Sequence, residues 1–143
     1  MLKQLVVVEV ASLKKNMPII KKINGENHKG LFADQAYDNG SVVLFLSGNY
    51  IAEPTRTSIQ TGDKHLESVE GGHVNHHCDP NTKVIVPNFT MPFLAATRNI
   101  ELGEEITFDY ETTEEELVSP FKCECHGRLI VGWNVFQRIW KAY

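Results

Sequence analysis

The apolar residues of this chain arrive in strand-sized bursts separated by turns, and that punctuation most restricts what it can fold into. The longest bursts are Leu5-Val6-Val7-Val8 and Val42-Val43-Leu44-Phe45-Leu46. The run from Leu5 to Val10 is rich in β-branched residues. Gly30-Leu31-Phe32-Ala33 follows the polar turn Asn24-Gly25-Glu26-Asn27, and Asp38-Asn39-Gly40 precedes the run from Ser41 to Leu46. Val84-Ile85-Val86, Phe93-Leu94-Ala95-Ala96 and the stretch from Glu105 to Phe108 are set apart by Pro, Gly and Asn. Short β-prone runs at this spacing predict a mainly β domain without crossover helices. Helical patterns come late. Thr112 or Thr113 with a glutamate three residues on predicts a capped helix that stops near Ser119-Pro120. Trp133, Phe136, Trp140 and Tyr143 recur at three- and four-residue steps, which predicts an amphipathic helix over residues 133–143. Its aromatic stripe packs on the core or, in the sharper reading, forms a homodimer contact or one wall of a peptide groove.

A length of 143 residues fits one domain, residues 1–143, and no repeat or linker divides it. No apolar run is long enough to cross a bilayer, and the start Met-Leu-Lys-Gln lacks the apolar core of a signal peptide. The expectation is an intracellular protein, cytoplasmic or nuclear, with no membrane partner. A net charge of -4 argues against direct nucleic-acid binding, which needs a basic footprint, and suits a basic partner such as a lysine-rich segment. Three cysteines make no disulfide framework, so they are buried thiols or metal ligands.

Two polar segments carry the chemistry. One is Gly72-His73-Val74-Asn75-His76-His77-Cys78-Asp79-Pro80-Asn81, and the other is Gly103-Glu104-Glu105-Ile106-Thr107-Phe108-Asp109-Tyr110. His76, His77, Cys78, Cys123, Cys125 and His126 form a ligand inventory suited to zinc, although Cys123-x-Cys125 is tighter than the Cys-x-x-Cys of common zinc knuckles. Cys78 beside His76 and His77 makes a poor catalytic pair, because sequence neighbours rarely face each other. The nucleophile elbow, the Gly-rich phosphate loops and His-Glu-x-x-His are all absent. A chemistry needing neither nucleophilic residue nor metal stays open, and methyl transfer is one.

In order and separation the two segments resemble the signature motifs of the SET-domain protein-lysine methyltransferases, Asn-His-Ser-Cys-x-Pro-Asn and Gly-Glu-Glu-(Leu/Ile)-(Thr/Phe)-x-(Asp/Phe)-Tyr. Lys29-Gly30-Leu31-Phe32-Ala33 is similar to the family's N-terminal Arg-Gly-(Leu/Val)-Phe-Ala segment. The stretch from Ser58 to Leu66 is similar to the strand-turn segment before the Asn-His motif, and Pro120-Phe121-Lys122-Cys123-Glu124-Cys125 resembles the start of the post-SET segment. The resemblance implies a mainly β SET fold of several small sheets with a C-terminal pseudoknot and a short C-terminal helix. Its core spans about residues 29–110, and a post-SET-like segment about 119–132. It implies S-adenosylmethionine held by Lys29, Gly30, Leu31, Asn75, His76, Tyr110 and Phe121. Tyr110 is implied as the catalytic tyrosine, orienting a lysine amine that enters from the opposite face, while Tyr50, Phe108 and Phe121 are candidate aromatic walls. The implied partner is a lysine-containing protein or peptide, a histone by family analogy alone.

The chain departs from the family pattern in three places. His77 replaces the usual serine, His73 and Val74 replace a commoner pair, and the third post-SET cysteine is missing, its place taken by Ile130. Zinc-binding members complete that site with the cysteine of the Asn-His motif. Here Cys78, Cys123, Cys125 and His126 offer a Cys₃His set, with adjacent ligands at 125 and 126 awkward for a tetrahedron. The metal-free reading leaves the thiols as small buried groups. These departures, with the aromatic stripe, support an alternative function as a catalytically degenerate SET-like binding or scaffold module.

Overall fold

The computed structural model describes residues 17–23 and 27–135. The apolar run at 5–10 lies outside them, as do Phe136, Trp140 and Tyr143 and the dimer contact read from that stripe. Residues 133–135 are helical, which is where the expected C-terminal helix begins.

The described residues form short strands in the order β1 (Ile19–Lys22), β2 (Lys29–Phe32), β3 (Val42–Phe45), β4 (Asn49–Ile51), β5 (Ile59–Thr61) and β6 (Lys64–Glu67). These are followed by β7 (Asn75–His76), β8 (Thr82–Ile85), β9 (Phe93–Ala96), β10 (Glu105–Phe108), β11 (Phe121–Lys122) and β12 (Leu129–Ile130). They assemble as a four-stranded sheet β1-β2-β10-β7, two three-stranded sheets β3-β9-β8 and β4-β6-β5, and the hairpin β11-β12. The fold is mainly β, in several small sheets.

One core joins the three larger sheets. Leu31 from β2, Leu66 from β6, Leu94 from β9 and Ile106 from β10 are all at most 1% exposed and belong to a single cluster. In β3 both Val43 and Leu44 are buried, which breaks the two-residue alternation of a strand. The pairing of β3 with β9 shifts register between Val42 and Leu44, a bulge that turns consecutive side chains inward.

The two polar segments interlock. β7 runs parallel to β10, with Asn75 opposite Thr107 and His76 opposite Phe108, while the other edge of β10 pairs antiparallel with β2. Asn81, 1% exposed, donates to the Glu105 carbonyl at 2.8 Å and accepts from the Thr107 N–H at 2.9 Å. Thr82 adds a hydroxyl bond to the Thr107 carbonyl at 2.7 Å. An asparagine can satisfy a strand's donor and acceptor together, so a loop residue substitutes for a neighbouring strand.

The helix expected from Thr112 or Thr113 does not form. A single 3₁₀ turn, Tyr110–Thr112, appears instead, capped by the Asp109 carboxylate accepting from the Glu111 N–H at 3.0 Å. Beyond it the backbone bonds to distant segments rather than to itself. Glu114 and Glu115 carbonyls accept from Trp133 and Asn134, and Leu117 donates to Val131. The Glu115 N–H donates to the Gln60 side chain at 2.9 Å. Tertiary partners for these groups outweigh the weak local helix preference. Gly132 makes the close approach feasible: it sits at φ 110°, and a Cβ there would meet the Glu115 carbonyl oxygen at 2.6 Å.

Candidate active site

A cleft of about 680 Å³ opens where the β7 and β10 ends meet the segment from Leu117 to Cys125. Its volume lies in the range of small-molecule sites. Four carboxylates line it, Glu105, Glu114, Glu116 and Glu124, against the cations Arg56 and Lys122. The excess of negative charge suits a cationic guest.

Tyr110, Phe108, Phe121 and His76 build an aromatic wall. Tyr110 lies 5.0 Å from Phe108 and 5.9 Å from Phe121 between ring centroids, and His76 stands edge-on to Tyr110 at 5.3 Å and to Phe121 at 5.7 Å. The Tyr110 hydroxyl donates to the Val74 carbonyl at 2.6 Å. Burial pushes its pKa up to about 12, and Glu114 and Glu105 add to the shift against the opposing pull of Arg56. The phenol therefore stays protonated at neutral pH.

Asn75 sits on the neighbouring wall. Its amide donates to the Lys29 carbonyl at 3.1 Å and to the Glu105 carboxylate at 2.8 Å, so its remaining polar atom is an acceptor oxygen. Gly30 leaves space for this pair, since a Cβ there would stand 2.7 Å from Glu105 Oε2 and 3.2 Å from Asn75 Nδ2. Lys29 contributes its carbonyl to the network, and its side chain is exposed. Leu31 is fully buried in the core. Of the seven residues implied for the cofactor, Asn75, His76, Tyr110 and Phe121 line the cleft directly.

Two further residues lie where the sequence reading had not put them. Tyr50, a candidate wall, is 53% exposed on β4 with Lys64 over its ring, away from the cleft. Glu114, read as part of a helix start, is a buried cleft carboxylate accepting from the Gln60 N–H at 2.9 Å and the Thr113 hydroxyl at 2.7 Å. Burial raises its pKa, opposed by those hydrogen bonds and by His65. A run of three glutamates gave no signal as to which would turn inward. His77 is half-buried, and its ring accepts from the Asp79 N–H of its own loop at 2.9 Å.

The cysteines converge beside the same wall. His76, Cys78, Cys123 and Cys125 place one ligand atom each within 4.8 Å of one another. The fourth member is His76, not the His126 expected from sequence spacing, whose ring instead faces His77 at 6.4 Å. Burial lowers the pKa of His76, partly offset by Asp109, so the ring is neutral at pH 7. Ile130, in the place of the missing cysteine, is fully buried and pairs with Phe121 across the β11–β12 hairpin.

Comparison with known proteins bears on this arrangement. The family model for the SET domain matches residues 14–111, more than half of the chain. The chain belongs to the SET-domain family. Among curated relatives, the SET-domain chain is 32% identical over 80 residues to Methyltransferase flvH of Aspergillus flavus, covering 54% of this chain and 44% of that protein. It is 28% identical over 125 residues to a SET and MYND domain-containing protein of Dictyostelium discoideum, covering 75% and 35%. It is 28% identical over 141 residues to the histone-lysine N-methyltransferase set1 of the same organism, covering 82% and 10%. The SET-domain chain thus spans less than half the length of each of these relatives. No helix among the described residues is long and apolar enough to cross a membrane.

Proposed function

We propose that this SET-domain chain transfers a methyl group from S-adenosylmethionine to a lysine side chain of a protein substrate. The observation that carries the reading is the shared cleft: the Asn-His segment and Tyr110 reach it from two interlocked strands, and carboxylates outnumber cations around it. Both reactants are cations in water, so the charge balance fits donor and acceptor alike. The cleft's volume and the acceptor oxygen of Asn75 fit a donor bearing an ammonium group.

When bound, S-adenosylmethionine supplies a methyl group on a positively charged sulfur, which an amine displaces in line. Holding two reactants in that line is worth several orders of magnitude in rate. Asn75 and the carboxylate of Glu105 hold one wall, with Gly30 leaving them room. The rings of Tyr110, Phe108 and Phe121 form the dry wall that keeps water from the reacting nitrogen. The Tyr110 hydroxyl donates a hydrogen bond to the Val74 carbonyl, so its oxygen lone pairs are left to accept from an amine N–H. With its pKa near 12 it orients the amine and takes no proton from it. The lysine, with a solution pKa of about 10.4, loses its proton to water before attack, and desolvation beside an apolar wall favours that loss.

The substrate class is proposed as protein lysine because relatives such as set1 are named histone-lysine N-methyltransferases. Tyr110→Phe is expected to cut turnover by about 10²-fold while leaving cofactor affinity nearly intact. The test incubates both proteins with isotopically labelled donor and a panel of lysine-rich proteins, histones included, and reads labelled lysine by mass spectrometry. Equal turnover by the two proteins would remove Tyr110 from the chemistry.

A further inference from the structure

We infer that Glu114 anchors the cationic head of the substrate lysine: one oxygen of its buried carboxylate is fastened to the protein, and the other is left for an ammonium group in the cleft. The assignment rests on the methyl-transfer reading, and it adds the residue that selects a charged side chain.

Of the four carboxylates lining the cleft, Glu114 alone is withdrawn from water. Glu116 and Glu124 are exposed, and the half-buried Glu105 is already engaged by the Asn75 amide at 2.8 Å. Glu114 is 8% exposed. Its Oε2 accepts from the Gln60 N–H at 2.9 Å and from the Thr113 hydroxyl at 2.7 Å, and both bonds favour the ionised group. Its Oε1 accepts from no described residue, and no described lysine, arginine or histidine forms an ion pair with it. His65, opposite Gln60 across the β5–β6 pair, acts on its charge through space only. Nor is Oε1 sealed off. The one walled-in, unpartnered side-chain atom among the described residues is Nδ1 of His65, so Oε1 keeps a path to the cleft that Glu114 lines.

The fold does not require this charge. A glutamine carbonyl would accept the same two bonds and hold β5 to the turn after Tyr110 equally well. A carboxylate taken out of water with no cation beside it costs free energy that two hydrogen bonds only partly return. A guest cation closing on Oε1 supplies what is missing, and perturbed carboxylates of this kind concentrate at functional sites.

Placement fits the second reactant rather than the first. Glu114 follows Tyr110 by one turn, its N–H donating to the Tyr110 carbonyl at 2.9 Å. Its carboxylate is tied to β5, beside the cleft residues Ser58 and Ile59, whereas Asn75 and Glu105 line the cleft from β7 and β10. Two cations meet in the proposed reaction, and the cleft offers each a carboxylate: Glu105 with Asn75 for the donor, Glu114 beside Tyr110 for the lysine. The lysine arrives as an ammonium ion, is held at Oε1, and then gives its proton to water. Holding the ammonium form favours binding rather than the chemical step, so its loss is read in KM.

The test is carboxyl NMR on the full chain with isotope-labelled glutamate, the Glu114 signal being the one that Glu114→Gln lacks. The probe is n-butylammonium, the end of a lysine side chain, with n-butanol as the neutral control of equal length. A saturable shift of the Glu114 signal with n-butylammonium, and none with n-butanol, is expected. Glu114→Gln should weaken n-butylammonium binding by about tenfold or more, with melting temperature and affinity for S-adenosylmethionine unmoved. With a lysine peptide and labelled donor, its kcat/KM should fall by about tenfold, carried by KM. A Glu114 signal that ignores n-butylammonium, or follows n-butanol equally, would overturn the anchor. So would a Glu114→Gln protein with the parent's KM. The titration needs no methyl donor, so a chain that binds n-butylammonium at Glu114 and methylates no lysine would remove the proposed activity and keep the cation site.

Discussion

At the residue scale, a single asparagine can hold as much of the fold as a strand. Asn81 satisfies both the Glu105 carbonyl and the Thr107 N–H from a fully buried position. Asn81→Ala leaves those two groups unpaired and is expected to cost about 2–3 kcal/mol. A shift in the denaturant midpoint at constant slope would report it, and a midpoint equal to the parent's would contradict the role. Gly30 tests the other wall. Its missing Cβ would press on the ends of Glu105 and Asn75, which are flexible side-chain tips rather than backbone. Gly30→Ala should therefore leave the thermal midpoint almost unmoved and weaken binding of the donor. The opposite pattern would make Gly30 a folding residue only. The Asn-His and Gly-Glu-Glu segments were legible from residue type and order, because their polar atoms have few ways to be satisfied once buried. Glu105 as the partner of Asn75, and His76 in place of His126 beside the thiols, were not. Which ring meets which sulfur depends on how two distant segments cross.

At the element scale, the runs at β2, β3, β8, β9 and β10 coincide with β-branched or apolar bursts bounded by turn residues. The Ser58 to Leu66 segment is the β5–β6 pair around Gly62 and Asp63. β7, β11 and β12 are two residues each and exist only because partners from elsewhere present free backbone groups. No local pattern could announce them. The expected helix after Thr112 was lost for the same reason, its carbonyls being taken by Trp133 and Asn134. That ladder depends on Gly132, whose φ and 2.6 Å approach to the Glu115 carbonyl oxygen exclude a side chain. Gly132→Ala is expected to destabilise by about 1–3 kcal/mol. Hydrogen exchange should rise at Leu117, Trp133 and Asn134 while the β5–β6 pair stays protected. Uniform exchange across both regions would contradict a local clamp.

At the scale of the whole molecule, the Glu111 carboxylate ties the turn after Tyr110 to the chain on either side of β12. Glu111, with an 11% exposed side chain, meets Arg128 at 2.5 Å and accepts from the backbone of Val131 and Gly132 at 3.2 and 3.1 Å. Burial alone would raise its pKa, but Arg128 and those two N–H groups hold it below the ordinary 4.5. A depressed folded pKa stabilises above the unfolded value and is lost as pH falls through the folded one. The melting temperature should thus drop below about pH 4.5, and Glu111→Gln should lower it at pH 7 while flattening that acid-side loss. Parallel curves for the two proteins would show that the clamp is not the titrating element.

The proposed activity requires the cleft between Asn75 and Tyr110 to hold the methyl donor. Calorimetric titration with S-adenosylmethionine and its demethylated product, on the parent chain and on Asn75→Ala, tests it without a guess about substrate. Micromolar binding is expected, weakening by about tenfold or more when the amide is removed. A folded parent chain that takes up neither compound, or an Asn75→Ala protein with an unaltered dissociation constant, would contradict it.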